Sequence, residues 1–381
     1  MFGSQGTRAG KNDLPGTAAS LYMNVMPSDP KTRPVALWLF VVAGMILVMI
    51  VLGGATRLTG SGLSIMEWAP LMGALPPLSE AEWQRLFALY QKIPQYDLVN
   101  HGFGLDGFKR IFWLEWSHRL WGRLIGLVFL VPPIWFWRSG LVPRWLRWRL
   151  VVLFLLGGLQ GAVGWFMVAS GFMPATTSVS PYRLVIHLGL ALILYGTIVW
   201  TGLSLWSPEP AAGRHQARLG VLVRTGIALV CLTILAGGFV AGLHAGLTYN
   251  SFPLMGGALV PAGYADLHPF VRNLTENIAA VQFDHRLLAT LTVLVTLGTL
   301  AFGWPVAALR ARVAGVGLAA VAQYGLGVAT LLWVVPLDLA VMHQAGAVLL
   351  LTAYLVLLHG LRGQPRQNPN RLTLSARSMV N

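Results

Sequence analysis

Charge and cysteine are both scarce in this sequence. Only 10% of its 381 residues are charged, 13 acidic against 27 basic, and the single cysteine, Cys231, lies inside an apolar stretch. One cysteine excludes an intramolecular disulfide and any cysteine-based metal site, so a bound metal would depend on histidine and carboxylate ligands. Hydrophobic residues make up 55% of the chain and the mean hydropathy is +0.64. This composition lies outside the range of soluble domains and predicts a polytopic membrane protein.

Eight stretches are long and apolar enough to cross a bilayer, for which a helix needs about 20 residues. They cover residues 35–54, 113–136, 150–169, 183–206, 220–241, 281–303, 313–335 and 340–360. We therefore expect an all-α membrane protein with eight transmembrane helices. The expected parts are an N-terminal tail (1–34), a first four-helix half (35–206), a linker (207–219), a second four-helix half (220–361) and a C-terminal tail (362–381).

The basic residues are distributed unevenly between the two sides of this predicted bundle. Seventeen of the 27 Lys and Arg lie on the side of the two tails and the linker, and seven lie in the opposite loops. Lys and Arg collect in cytoplasmic loops, so we expect both termini to be cytoplasmic and the loops 55–112 and 242–280 to face outward. The same bias accounts for the net charge of +14 without a nucleic-acid partner.

The two halves contain similar segments in the same order. GLSIMEWAPLMGALPP (62–77) matches GLTYNSFPLMGGALVP (246–261), and EWSHRLWGRL (115–124) matches QFDHRLLATL (282–291). Gln160 and Gln323 precede glycines at the same interval in the third helix of each half. We interpret the halves as parallel repeats with one topology, an arrangement that is frequent in membrane bundles.

Four histidines occupy repeat-related positions near the outer ends of the even-numbered helices: His118, His187, His285 and His343. A single intramembrane histidine can simply bond a neighbouring helix. Ionisable groups in spans are costly and usually functional, however, and facing histidines commonly build cofactor sites in helical bundles. Zinc takes four ligands, whereas haem needs only axial ligands and apolar walls. We therefore predict two haem pockets, one formed by His118 with His187 and the other by His285 with His343.

Glu115 lies one helical turn before His118, and its counterpart in the second half is the amide Gln282. A carboxylate beside only one of two similar pockets suggests that this pocket performs chemistry, for example by relaying protons. The alternative is a structural ion pair between Glu115 and either Arg119 or Arg123.

Three arginines are candidates for charge-assisted bonds to haem propionates near the outer surface. Arg119 and its counterpart Arg286 directly follow ligand histidines, and Arg57 lies in the segment GGATRLTGSGLS.

Several motifs together resemble the haem A synthase family, membrane enzymes that oxidise a methyl group of haem O to the formyl group of haem A. These are GGATRLTGSGLSIMEWAP, EWSHRLWGR, HLGLAL, FDHRLLA and MHQAGAVLL, which occur in order over nearly the whole chain. The resemblance implies that His285 and His343 hold a resident haem B, that His118 and His187 hold the substrate haem O, and that Glu115 takes part in the chemistry. Some family members carry a cysteine pair in an outer loop that this sequence lacks, which excludes a mechanism based on a loop thiol.

The resemblance also implies a location and partners. We expect the bacterial inner membrane, and as partners the lipid bilayer, the farnesyltransferase that makes haem O, and an electron donor or acceptor. A di-haem electron-transfer protein similar to transmembrane cytochromes b is the alternative, because it would use the same four histidines without making a product.

Overall fold

The computed structural model describes residues 30–206 and 217–362. In these ranges eleven α-helices follow one another: α1 (Arg33–Leu58), α2 (Glu80–Tyr90), α3 (Pro94–Leu98), α4 (Leu105–Arg138), α5 (Arg144–Val168), α6 (Pro181–Trp206), α7 (Ala217–Gly242), α8 (Asn273–Glu276), α9 (Ile278–Gly303), α10 (Arg310–Leu332) and α11 (Leu337–Gly360). Most of the predicted tails and linker lies outside the described residues.

Eight of these helices, all except α2, α3 and α8, are long and apolar enough to span a membrane. This confirms the prediction of an all-α membrane fold with eight spanning helices. The apolar stretches predicted these helices correctly because a helix that crosses the bilayer needs about 20 consecutive, mostly apolar residues.

The segment between α1 and α4, predicted as the first outer loop, is more structured than the sequence suggested. It contains α2 and α3, and α4 begins at Leu105 although the apolar stretch begins at residue 113. Phe108 and Phe112, in the added turns, pack with Trp83 of α2 in a separate buried cluster. The prediction of a loop over 55–112 was therefore wrong, because hydropathy does not detect an amphipathic helix that packs on another outer helix.

Two other boundaries also differ from the prediction. Arg57, expected in the outer loop, lies in the last turn of α1. α10 ends at Leu332 rather than at residue 335, since Val334 and Val335 adopt left-handed backbone with φ of 59° and 58°. Such a backbone cannot continue a right-handed helix.

The two halves pack against each other through three helix contacts. α6 of the first half packs on α7 and α11 of the second half, and α1 packs on α11. One buried apolar cluster runs through both halves and includes Leu39, Leu194, Val230 and Leu351. This central contact brings α1 against α11, where Gly54 meets Gln344. α1 also borders His118, and α11 carries His343.

Candidate functional site

The structure places the four predicted histidines in two pairs, one in each half. The ring centroids of His285 and His343 lie 6.4 Å apart with an angle of 86° between the ring planes. His118 and His187 are close enough to interact electrostatically. A metal bound between two imidazole nitrogens at about 2 Å separates the ring centres by about 6 Å, so the second pair has the spacing of two axial ligands.

Each of these histidine rings lies directly against a glycine of a neighbouring helix. A Cβ at that glycine would lie within 3.2 Å of the ring: Gly53 under His118 (3.2 Å), Gly164 under His187 (2.9 Å), Gly237 under His285 (3.0 Å) and Gly327 under His343 (2.8 Å). Glycine lets the helix backbone approach the ring at a distance that any side chain would prevent. The four glycines therefore fix how far each imidazole extends into its pocket. We did not identify them from the sequence, although their regular placement in both halves is visible there.

Replacing Gly327 by alanine is expected to disturb the second pair selectively. The new methyl group would meet the ring of His343 and displace it from its present position relative to His285. We expect Gly327→Ala to lose or alter any low-spin haem absorption of the purified protein.

Gly325→Ala is the matched control for this substitution, since nothing lies within 4 Å of a Cβ at that position of the same helix. Identical spectra for the two variants would show that the glycine contact does not set the position of His343.

Side-chain amides and a carbonyl fix the orientation of three of the rings. Nδ1 of His285 lies 3.0 Å from the carbonyl oxygen of Thr233, which leaves Nε2 available to a metal. The amide nitrogen of Gln323 lies 3.1 Å from Nδ1 of His343 and donates to the carbonyl oxygen of the same residue at 2.9 Å. Gln160 donates to the carbonyl oxygen of His187 at 3.0 Å, but its amide nitrogen lies 3.4 Å from Nε2 of that ring rather than near Nδ1.

Buried polar atoms without a partner occur at the same place in both halves. They are the amide oxygens of Gln160 and Gln323 and Nδ1 of His187. A half-turn of the Gln323 amide would present its oxygen as an acceptor for Nδ1–H of His343, the state that a metal bound at Nε2 requires. The Gln160 amide lies beside Nε2 of His187 instead.

This donor set fits haem better than a bare metal ion. Among the described residues there is no cluster of three or more His, Cys, Asp or Glu that could hold a metal. Two imidazoles per site, with no carboxylate ligand, suit the two axial positions of haem, whose other four iron ligands come from the porphyrin.

Glu115 is buried, with an exposed fraction of 2%, and both of its carboxylate oxygens accept hydrogen bonds. One carboxylate oxygen accepts from the hydroxyl of Ser64 at 2.7 Å and from the backbone N–H of Ile65 at 2.8 Å. The other oxygen accepts from Arg119, with a shortest distance of 2.5 Å. The ion pair considered from the sequence is therefore present with Arg119. Arg123 instead donates to the carbonyl oxygens of Ala69 and Pro70, both at 2.8 Å.

Gln282 occupies the corresponding position in the second half, but the loop groups that bond to it are acceptors rather than donors. Its amide nitrogen donates to the carbonyl oxygens of Ala245 at 2.8 Å and Thr248 at 2.6 Å, and its oxygen accepts from Arg286 at 2.8 Å. The outer loop thus presents donors to Glu115 and acceptors to Gln282. The hydrogen-bonding groups of each loop therefore match the side chain that they contact, a carboxylate in the first half and an amide in the second.

Arg119 and Arg286 hold the outer loops by equivalent bonds. Arg119 donates to the carbonyl oxygens of Ile65 and Glu67 at 2.7 and 2.9 Å. Arg286 donates to those of Tyr249 and Ser251 at 2.7 and 2.9 Å. Both guanidinium groups therefore anchor the loop that adjoins their own half.

Arg57, at the end of α1, lies near His244 of the second outer loop. Desolvation, and after it the charge of Arg57, hold the pKa of His244 below its ordinary value. Positive charge from the first half thus reaches the outer end of the second half.

The helices and histidine pairs define a polytopic membrane protein with two separate sites suited to bis-histidine ligation. Residues 36–355 match the model of the COX15-CtaA family, described as cytochrome oxidase assembly protein. Similar proteins include the heme A synthase of Granulibacter bethesdensis, 60% identical over 90% of this chain and 91% of that protein, and the heme A synthase of Rhodospirillum centenum, 50% identical over 94% and 96%. The chain belongs to the COX15-CtaA family. The resemblance found in the sequence motifs is confirmed, and the electron-transfer alternative is not favoured.

Proposed function

We propose that this chain is a haem A synthase, a membrane oxidoreductase that converts a methyl group of haem O into the formyl group of haem A for terminal oxidases. The observation that carries the proposal is the difference between two otherwise similar histidine sites. Both have two imidazoles set against glycines, but only the first has a carboxylate, Glu115, one turn from its first histidine. Relatives of this chain that bear the name heme A synthase support the same activity.

The second half is proposed to hold a resident haem B. His285 and His343 would hold its iron, and Arg286 would contribute positive charge for its carboxylates. Haem bound there would supply one-electron exchange. The protein contributes the fixed ring angle of 86° and the hydrogen bond from His285 to Thr233, both of which tune a bound haem.

The first half is proposed to bind haem O as substrate between His118 and His187. Arg57 and Arg119 would provide positive charge toward its carboxylates. Two histidines set against Gly53 and Gly164 give the substrate one position, which turns an encounter into an oriented reaction. The farnesyl tail of haem O is apolar and can remain in the bilayer, so the pocket need not enclose it.

Glu115 is proposed as the residue of this chain that takes part in the chemistry. Oxidation of a methyl carbon to a formyl carbon breaks C–H bonds and requires proton transfers, and a carboxylate one turn from His118 can accept or relay protons. Its bonds to Ser64, Ile65 and Arg119 hold the carboxyl group in one orientation.

The proposal includes the arrangement of the whole chain in the membrane. The two halves are parallel repeats, both termini are cytoplasmic, and the protein lies in the bacterial inner membrane. The equivalent bonds of Arg119 and Arg286 to the outer loops support the repeat. The enzyme that farnesylates haem and an electron donor or acceptor are the proposed partners.

Expression in a bacterial host that makes haem O but no haem A tests this function. We expect extracts of cells with the wild-type chain to contain haem A, and extracts of cells with His118→Ala to contain none. His101→Ala is the control, because His101 lies exposed in the first outer loop and should leave the yield unchanged. No haem A with a well-expressed wild-type chain would contradict the proposal.

A further inference from the structure

We propose that the two histidine sites are coupled through paired glycines, and that Gln344 is the positioning residue that makes this coupling rigid. This inference rests on the proposed function, because it concerns how the substrate site and the resident haem site are held relative to each other. It comes from contacts that cross between the halves.

The first glycine pair lies in α1. Gly53 contacts the ring of His118 in its own half, and a Cβ there would lie 3.2 Å from Nε2. Gly54, the next residue, faces the other half, and a Cβ there would overlap the side-chain amide of Gln344. Gln344 directly follows His343 in α11. Two adjacent residues of one helix therefore contact His118 of the first site and the residue that directly follows His343 of the second site.

The second glycine pair lies in α7 and repeats this arrangement with the halves exchanged. A Cβ at Gly237 would lie 3.0 Å from the ring of His285, in its own half. A Cβ at Gly238 would lie 2.9 Å from the side chain of Val185 and 3.4 Å from that of Leu188, which lie two residues before and one residue after His187 in the first half. Each glycine pair therefore contacts one histidine of its own half and the residue following the second histidine of the other half.

The two contacts between the halves, at Gly54 and at Gly238, differ in chemistry. Leu188 makes only apolar contact, whereas Gln344 also donates a hydrogen bond of 3.0 Å to the carbonyl oxygen of Ile50. Ile50 lies one turn before Gly54 and has an exposed fraction of 7%. A hydrogen bond fixes distance and direction together. Gln344 therefore fixes α11 against α1 in position as well as in spacing.

The consequence is that displacement of α1 is transmitted to His343. Adjacent residues of a helix cannot move independently, and neither glycine has a side chain that could absorb a shift. A change at Gly54 should therefore reach the resident haem site through Gln344, although Gly54 belongs to the first half.

Gly54→Ala in the haem-loaded protein tests this coupling. The readout is the low-spin ferric EPR signal of the resident haem, which depends on the angle between the rings of His285 and His343. We expect Gly54→Ala to shift this signal. Gly44→Ala, in the same helix with nothing within 4 Å of its Cβ, should leave the signal as in the wild type.

A double variant separates coupling from general damage. If Gln344 carries the effect, Gly54→Ala should cause no further shift when added to Gln344→Ala. Equal shifts with and without Gln344, or no shift in Gly54→Ala, would overturn the inference. A wild-type protein that binds no haem at His285 and His343 would instead contradict the proposed function, so the two failures are distinguishable.

Discussion

Glu115→Gln is expected to abolish haem A formation while leaving a folded protein with its resident haem. The amide keeps the size of the side chain, but it cannot accept a proton at neutral pH. Because the outer loop presents the N–H of Ile65 and the hydroxyl of Ser64 to this position, the substitution also weakens hydrogen bonds to a charged group, at a cost on the order of 1.5–3 kcal/mol. We expect product formation to fall by about 100-fold or more, the usual contribution of general acid–base catalysis. Extraction and chromatography of haems from expressing cells would measure this.

Glu67→Gln is the matched control for that experiment. Glu67 lies in the same outer loop, its side chain is 44% exposed, and hydrogen bonds from Arg85 hold its pKa below the ordinary value. Glu67 is thus ionised at neutral pH, and like Glu115 it is paired with an arginine, but it does not belong to either proposed haem site. Normal haem A formation by Glu115→Gln would remove Glu115 from the mechanism and leave it as a residue that anchors the loop.

His285→Ala is expected to remove the low-spin spectrum of the resident haem. Two perpendicular imidazole planes interact with different iron d orbitals, which keeps those orbitals close in energy. The angle of 86° between the two ring planes therefore predicts a strongly anisotropic low-spin ferric EPR signal in the wild type. Loss of one of the two ligands should abolish that signal. EPR and optical spectra of the purified variant provide the measurement.

His187→Ala supplies the comparison for this second substitution. It removes the corresponding ligand of the first half, so the anisotropic signal should persist. A signal that survives in His285→Ala and disappears in His187→Ala would show that the two pockets have been assigned in reverse.

The sequence predicted the spanning helices well because one physical property, a continuous apolar stretch, decides them. It predicted α4 poorly, since the added turns at Phe108 and Phe112 pack on α2 and depend on tertiary contact. The end of α10 was missed for a different reason. Val334 and Val335 favour extended or helical backbone intrinsically, and only the fold places them in the left-handed region.

The histidines of the site could be predicted because imidazole is rare and costly inside a membrane. Their supporting glycines could not, since a glycine in a spanning helix has many ordinary uses, and only the structure shows that Gly164 and Gly327 lie against His187 and His343. The sequence also left open whether Glu115 pairs with Arg119 or Arg123. The structure shows the pair with Arg119, while its part in the reaction remains the proposal to be tested.

The most direct test of the central claim is to extract the haems from the purified wild-type protein and identify them by chromatography with mass detection. The account predicts haem B together with haem O, its hydroxylated form or haem A, because one site retains a cofactor and the other holds substrate or product. Haem B alone, at about two per chain, would contradict it and indicate an electron-transfer protein. Absence of any haem would show that the four histidines do not form haem sites.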